Sequence, residues 1–271
     1  LLTRALTAAV LLAAFLGALL LLGRPWFAVL IGAVLAVGAH EWARLARLAP
    51  RPALAYAGVA LALYAGLAAG LEPLRAADLA ELLLFSVTAA FWLILAPAWL
   101  RRGMDRSPAA LLLAAGLLVL VPTGLAAVTL SPGQLLLTLG LVWIADTAAY
   151  LAGRAVGRRR LAPRISPGKT WEGAAGGAVA TVIYAIICAL PGAPLGGSVQ
   201  GAGWLPYLAA TLLLCAVSIV GDLFESALKR QAGAKDSGAL LPGHGGVLDR
   251  IDSATSTLPI AVLAFYWMSL A

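Results

Sequence analysis

The chain has 271 residues, 62% of them hydrophobic and 11% charged, with a formal net charge of +7 at pH 7. Soluble domains are about 45–50% apolar and about 25% charged, so this balance excludes a soluble enzyme and a disordered chain. In an integral membrane protein, excess positive charge reports the side on which a segment lies rather than an affinity for nucleic acid.

Runs of about 18 or more apolar residues are long enough to cross a hydrocarbon core of about 30 Å as helices. The first, Ala5 to Leu22, is followed by no small-residue cleavage site, and another apolar run begins two residues later. It therefore reads as a retained helix rather than a signal peptide. The chain opens on Leu1 rather than Met, as expected of a sequence that has lost its natural start. Further runs fall at 25–43, 52–71, 79–100, 108–130, 133–152, 173–192, 204–221 and 253–270. This predicts an all-α polytopic protein with nine transmembrane helices. Ser107-Pro108 and Ser131-Pro132 place a capping hydroxyl before a proline at the first helical position, and Pro25 and Pro52 suit that position too. With the N-terminus cytoplasmic and the C-terminus outside, every Lys and Arg except Arg24 and Arg75 falls on the cytoplasmic side. The third connection carries Glu72, Asp78 and Glu81 instead. Trp26, Trp42, Trp99, Trp171, Trp204 and Trp267 stand near helix ends and are expected to anchor at the interface. Cys188 and Cys215 lie inside apolar runs without metal-ligand spacing and read as buried thiols.

The chemistry is expected in the second part of the chain. Residues 1–130 read as five scaffold helices, and 131–271 as a catalytic region of four helices with cytoplasmic polar segments at 153–172 and 222–252. Residues 221 to 252 hold the densest charge in the chain. Asp222, Glu225, Ser226 and Lys229 share one helix face if the eighth helix continues past the membrane, and Asp249, Asp252, Ser253 and Ser256 repeat that spacing on the ninth. The loop between them, with Gly233, Gly238, Gly243, Gly245 and Gly246 beside Lys235, Asp236 and His244, can bend closely around an anion. Carboxylates from two helices repel each other unless a cation lies between them, and hard oxygen ligands suit Mg²⁺ completed by substrate phosphates. Lys229, Arg230, Lys235 and Arg250 would meet the charge of a phosphorylated substrate.

A second cluster, Arg164 to Gly173, offers Ser166, Lys169 and Thr170 to phosphate oxygens. Asp146, within a crossing, is a functional candidate by its position, with a structural pair to an Arg as the alternative. Arg158, Arg159 and Arg160 read as orienting charges or contacts to lipid heads. His40 with Glu41 reads as an interfacial polar pair, and His244 as a phosphate hydrogen-bonding group.

The run Ser226, Leu228-Lys229-Arg230, Lys235-Asp236, Gly238, Leu241-Pro242, His244-Gly245-Gly246 and Asp249-Arg250-Ile251-Asp252 closely resembles the signature of the phosphatidate cytidylyltransferases, or CDP-diacylglycerol synthases. Gly221 through Glu225, Asp146-Thr147, and Ser166-Pro167 through Glu172-Gly173 also look like that family's motifs. Gly168 stands where a second basic residue is common, and Ala148 where Gly is common. The resemblance implies transfer of CMP from CTP to phosphatidate, giving CDP-diacylglycerol and pyrophosphate, with Mg²⁺ required and a second cation beside it by analogy with two-metal sites. It implies Asp222 and Asp249 as leading metal ligands, with Asp146 and Asp252 as further candidates. Lys229, Lys235, Lys169 and Arg250 would contact phosphates, Ser166, Ser226 and His244 would orient them, and Arg230 and Asp236 complete the substrate-binding set. The expected setting is a bacterial inner membrane, with the site facing the cytoplasm and the chain a homodimer. The Gly173, Gly176 and Gly177 seam suits close helix contact, either between subunits or within one. Rival readings are a CTP-dependent polyprenol kinase, an ether-lipid cytidylyltransferase and an ion or phosphate transporter.

Overall fold

The computed structural model describes residues 2–70, 79–104, 107–195, 199–241, 243 and 245–270, without the side chains of 2–8 and 269–270. The described chain is built on ten α segments: α1 Leu2–Leu21, α2 Arg24–Leu45, α3 Pro50–Ala68, α4 Leu79–Ala90, α5 Ala96–Arg102, α6 Ala109–Thr129, α7 Pro132–Val156, α8 Trp171–Ala189, α9 Trp204–Gln231 and α10 Leu248–Leu270. A π turn, Phe91–Leu95, joins α4 and α5 into one rod. Pro97 sits just beyond it and lacks the amide that Leu93 would need four residues back, a common origin of such irregular turns.

Seven described helices are long and apolar enough to cross a membrane: α2, α3, the Leu79–Arg102 rod, α6, α7, α8 and α9 with its leading turn. The chain is an all-α polytopic membrane protein. The described apolar part of α1, Ala9–Leu21, is shorter, and α10 opens on Asp249, Arg250 and Asp252 followed by a hydroxyl-rich stretch. Nine apolar segments predicted from sequence thus correspond to seven helices of this quality plus these two. The described β structure is an antiparallel hairpin, β1 Arg160–Ala162 with β2 Ser166–Thr170, and one bridge between Leu241 and Gly245.

The core is centred on α6 and α10. Every residue of α6 from Val119 to Thr129 is buried, as expected of a helix apolar on all sides. α10 packs against α6, α9, α4 and α7. Pro259 leaves the Thr255 carbonyl without its intrahelical donor, and the Thr123 hydroxyl of α6 lies 3.0 Å from that oxygen. Phe224 of α9 is enclosed by Trp42, Phe91, Trp92 and Trp99, with ring centroids 5.5–6.1 Å apart. This corrects the anchoring expectation for two tryptophans. Trp42 is 1% exposed and donates to the Leu112 carbonyl at 2.8 Å, while Trp99 donates to Ser107 Oγ at 2.8 Å. Ser107 therefore does not cap α6, whereas Ser131 caps α7 in a capping box with Gln134. Trp26, Trp171 and Trp267 remain exposed, as anchors must be.

Small residues bring α8 onto α7. A Cβ at Gly173 would stand 2.7 Å from the Ala149 carbonyl, one at Gly176 2.5 Å from Ala152 Cβ, and one at Gly177 2.9 Å from the Ala145 carbonyl. The seam is occupied within the chain. Overpacking such a contact costs about 1–3 kcal/mol, so Gly177→Val is expected to lower the thermal unfolding midpoint in detergent. An unchanged midpoint would contradict helices this close.

Candidate active site

At 28 residues α9 is about 42 Å long, more than a hydrocarbon core of about 30 Å needs, so its charged last turns continue past the apolar span. They meet the ends of α7 and α10 and the β hairpin around a cavity of about 710 Å³. Asp146 of α7, Asp222 of α9, and Asp249 and Asp252 of α10 supply its acidic wall; Arg154, Arg160, Lys169 and Arg250 supply its basic one. Gly221 permits this convergence. A Cβ there would stand 2.8 Å from the Asp252 carbonyl, so α9 and α10 touch at the point where their carboxylates face one another.

Asp146, Asp222 and Asp252 interact electrostatically with one another and with Lys169. Lys169 reaches from β2 to Asp222, with Nζ to Oδ2 at 2.5 Å, and Ser226 Oγ donates to the other oxygen at 3.3 Å. Ser253 Oγ donates to Asp146 at 3.4 Å. Deeper in, Lys229 Nζ lies 2.5 Å from Glu225 Oε2 and 2.6 Å from Asp249 Oδ1. The other Asp249 oxygen accepts from the amides of Ser237 and Gly246, each at 2.8 Å, and Ser237 Oγ stands 2.9 Å from it.

A family model described as the cytidylyltransferase family matches residues 2–268. The chain belongs to that family. It is 43% identical to a phosphatidate cytidylyltransferase of Pseudomonas aeruginosa, over 95% of this chain and 94% of that one. Relatives of the same name from Haemophilus influenzae and Thermotoga maritima are 46% and 42% identical, over 47% and 48% of this chain and 44% and 48% of theirs. As a member of the cytidylyltransferase family, the protein is a nucleotidyltransferase.

Eight of the residues singled out as phosphate or metal candidates in this cytidylyltransferase sequence line the cavity: Asp146, Ser166, Lys169, Thr170, Asp222, Asp249, Arg250 and Asp252, the Thr170 hydroxyl accepting from the Gly173 amide at 3.1 Å. Ser226 and Lys229 adjoin it through Asp222 and Asp249. Arg230 is exposed and donates to the Ile165 carbonyl at 3.4 Å, tying α9 to the hairpin. Lys235 and Asp236 are exposed and do not line the cavity. His244 lies outside the described residues, as do Glu72, Arg75 and Asp78. Arg160, set aside as an orienting charge, lines the cavity; the neighbouring amides of Arg158 and Arg159 are held by Glu172.

The expected anion cradle in the glycine-rich loop takes a different form. Its Ser237 and Gly246 amides point at Asp249, and those of Val247 and Leu248 point at Glu41. The loop's own carboxylates use the donors that a substrate anion would need. Glu41, read from sequence as half of an interfacial pair, is 6% exposed. Its side chain is separated from its partners by about two hundred positions, and nothing in the local pattern signals that contact.

Proposed function

We propose that this protein transfers CMP from CTP to phosphatidate, releasing pyrophosphate and leaving CDP-diacylglycerol. The observation that carries this reading is the cavity itself, where acidic groups from three helices face Lys169, Arg154, Arg160 and Arg250 at the end of the apolar spans. A lipid phosphate oxygen would attack the α-phosphorus of CTP as the bond to the β-phosphate oxygen breaks. Phosphatidate is already anionic at neutral pH, so the barrier is mutual repulsion of two polyanions more than proton removal. Lys169, Arg154, Arg160 and Arg250 lower that barrier by holding phosphate oxygens, and Lys229 fixes Asp249 beside them. Acyl chains would remain in the bilayer while the headgroup enters.

The carboxylates fit Mg²⁺. Among the described residues, no group of three or more His, Cys, Asp or Glu side chains forms a ready cage, but Mg²⁺ is commonly held by one or two carboxylates with water and substrate phosphates. Asp222 and Asp249 would hold it, supported by Asp146 and Asp252, with a second cation in the same acidic wall. When bound, Mg²⁺ supplies positive charge to the α-phosphate and the departing pyrophosphate.

In this reading the chain makes nine crossings in a bacterial inner membrane, with its N-terminus and cavity on the cytoplasmic side and its C-terminus outside. The concentration of Arg and Lys around the cavity supports that orientation. Every cavity-lining residue falls between 146 and 252, which supports residues 131–271 as the catalytic region on a scaffold of 1–130. The proposed homodimer would use a surface other than the Gly173–Gly177 seam, which α7 fills.

Incubation of purified protein with labelled CTP, phosphatidate and Mg²⁺ tests the reaction. CMP attached to lipid together with pyrophosphate is the expected result, and chelation of Mg²⁺ should abolish it. Release of CDP would indicate a kinase, and transport without chemical change would indicate a carrier; either would overturn the proposal.

A further inference from the structure

Glu41 lies one turn before the end of α2 and does not line the cavity, yet both its oxygens are used by the loop that leads into α10. Oε1 accepts from the Val247 amide at 3.0 Å, and Oε2 accepts from the Leu248 amide at 2.8 Å and shares the single Ser237 hydroxyl proton with Asp249 Oδ2, Ser237 Oγ standing 2.9 Å from each. Leu248 opens α10, so the carboxylate sits where helix amides lack partners and the helix dipole favours negative charge.

Ser237 carries this contact onward. Its hydroxyl is also 2.9 Å from Asp249 Oδ2 and accepts from the Asp249 amide at 3.3 Å. Asp249 in turn holds Lys229. Two glycines of the loop are explained by this arrangement. A Cβ at Gly238 would collide with the Glu41 carboxylate, and one at Gly246 with Ser237 Oγ and both Glu41 oxygens.

The end of α2 is itself fixed to α9. Gln231 Nε2 donates to the Leu45 carbonyl at 2.7 Å, and the Arg47 guanidinium donates to the Gln231 carbonyl. Arg47 holds a left-handed φ of 68° to do so, in the helix-terminating position that favours glycine. Trp42 stacks on Phe224, five residues before Lys229 on α9. Glu41 therefore projects from a braced support.

We propose that Glu41 is a positioning residue for the transfer reaction: acting through Ser237, it sets where Asp249 and Lys229 stand. The inference rests on reading the cavity as the cytidylyltransferase site. A structural role alone would lower stability without changing the chemistry of folded molecules.

The discriminating variant is Ser237→Ala, which removes the hydroxyl between Glu41 and Asp249 and leaves the residue 237 amide on Asp249 and the Val247 and Leu248 amides on Glu41. Glu41→Gln complements it, because an amide cannot accept at both ends. The full chain in detergent should be compared for kcat, KM for CTP, Mg²⁺ requirement, thermal midpoint and hydrogen exchange across 236–250. Loss of an outer group that orients a metal ligand commonly costs 10–100-fold. For Ser237→Ala, kcat per folded molecule should fall about tenfold or more, with a raised Mg²⁺ requirement and a midpoint within a few degrees of the parent. For Glu41→Gln, exchange at Val247 and Leu248 should also accelerate. Parental kcat and Mg²⁺ requirement in Ser237→Ala, or activity that falls only in step with folded protein, would overturn the positioning role. Unchanged exchange in Glu41→Gln would overturn the clamp. If the parent protein forms no CDP-diacylglycerol, the functional reading fails, while the exchange measurement still decides the clamp.

Discussion

Replacing Asp222 with Asn should remove nearly all Mg²⁺-dependent turnover while leaving the protein folded. The amide keeps the size of the side chain and deletes a charge that faces Asp146, Asp252 and Lys169 in the cavity. A preorganised charge at a phosphate-transfer site is worth about a hundredfold or more in rate. Stability should change little. The Lys169–Asp222 pair is about a quarter exposed at each side chain, where ion pairs contribute about 0–1 kcal/mol, and removing one of three neighbouring negative charges relieves repulsion. Formation of CDP-diacylglycerol and the thermal midpoint, measured on the same preparation, should therefore separate. Near-parental turnover in Asp222→Asn would remove Asp222 from the metal assignment.

Lys229→Met should do the opposite to stability. Its ammonium serves two carboxylates at once, and the side chains are 13% exposed for Lys229, 3% for Glu225 and 6% for Asp249. Methionine retains most of the apolar stem but leaves two buried acids without their cation. Breaking a buried pair in this way costs about 3–5 kcal/mol. Among the described residues, Glu225 Oε1 has no hydrogen-bond partner to soften that loss. Adding Glu225→Gln to Lys229→Met removes one of the stranded charges, so the double variant should regain part of the midpoint. It should regain no activity, because Asp249 still lacks its ammonium. A double variant no more stable than Lys229→Met would show that Glu225 is not the charge that Lys229 neutralises.

Periodicity and charge placement made the helices legible, while the run from Ser226 to Asp252 supplies Asp249, Arg250 and Asp252 to the cavity and earlier segments supply the rest of its lining. Asp222 and Asp249 were expected on two helix faces bracketing one loop, and both line the cavity. The shared face of Asp222, Glu225, Ser226 and Lys229 required the eighth helix to continue past the membrane, and α9 runs on to Gln231. Contacts between distant parts of the chain were less accessible. Trp42 and Trp99 occupy positions typical of interfacial anchors, but Phe224 draws them inward. The glycines at 238 and 246 looked like a cradle for a bound anion because composition reports flexibility and not what lies opposite. Their actual neighbour, Glu41, comes from a helix that carries no other sign of chemistry. The hairpin at 160–170 is too short and too basic for an alternating pattern to announce it.

The 196 positions between Glu41 and Ser237 also constrain how the molecule is made. A chain emerging from the ribosome inserts α2 long before the donors for its acid exist, because α10 emerges after every other described helix. The cavity geometry is thus acquired only after α10 has emerged, and a nascent protein arrested before Val247 would carry an acidic group in α2 without the two amides that donate to it.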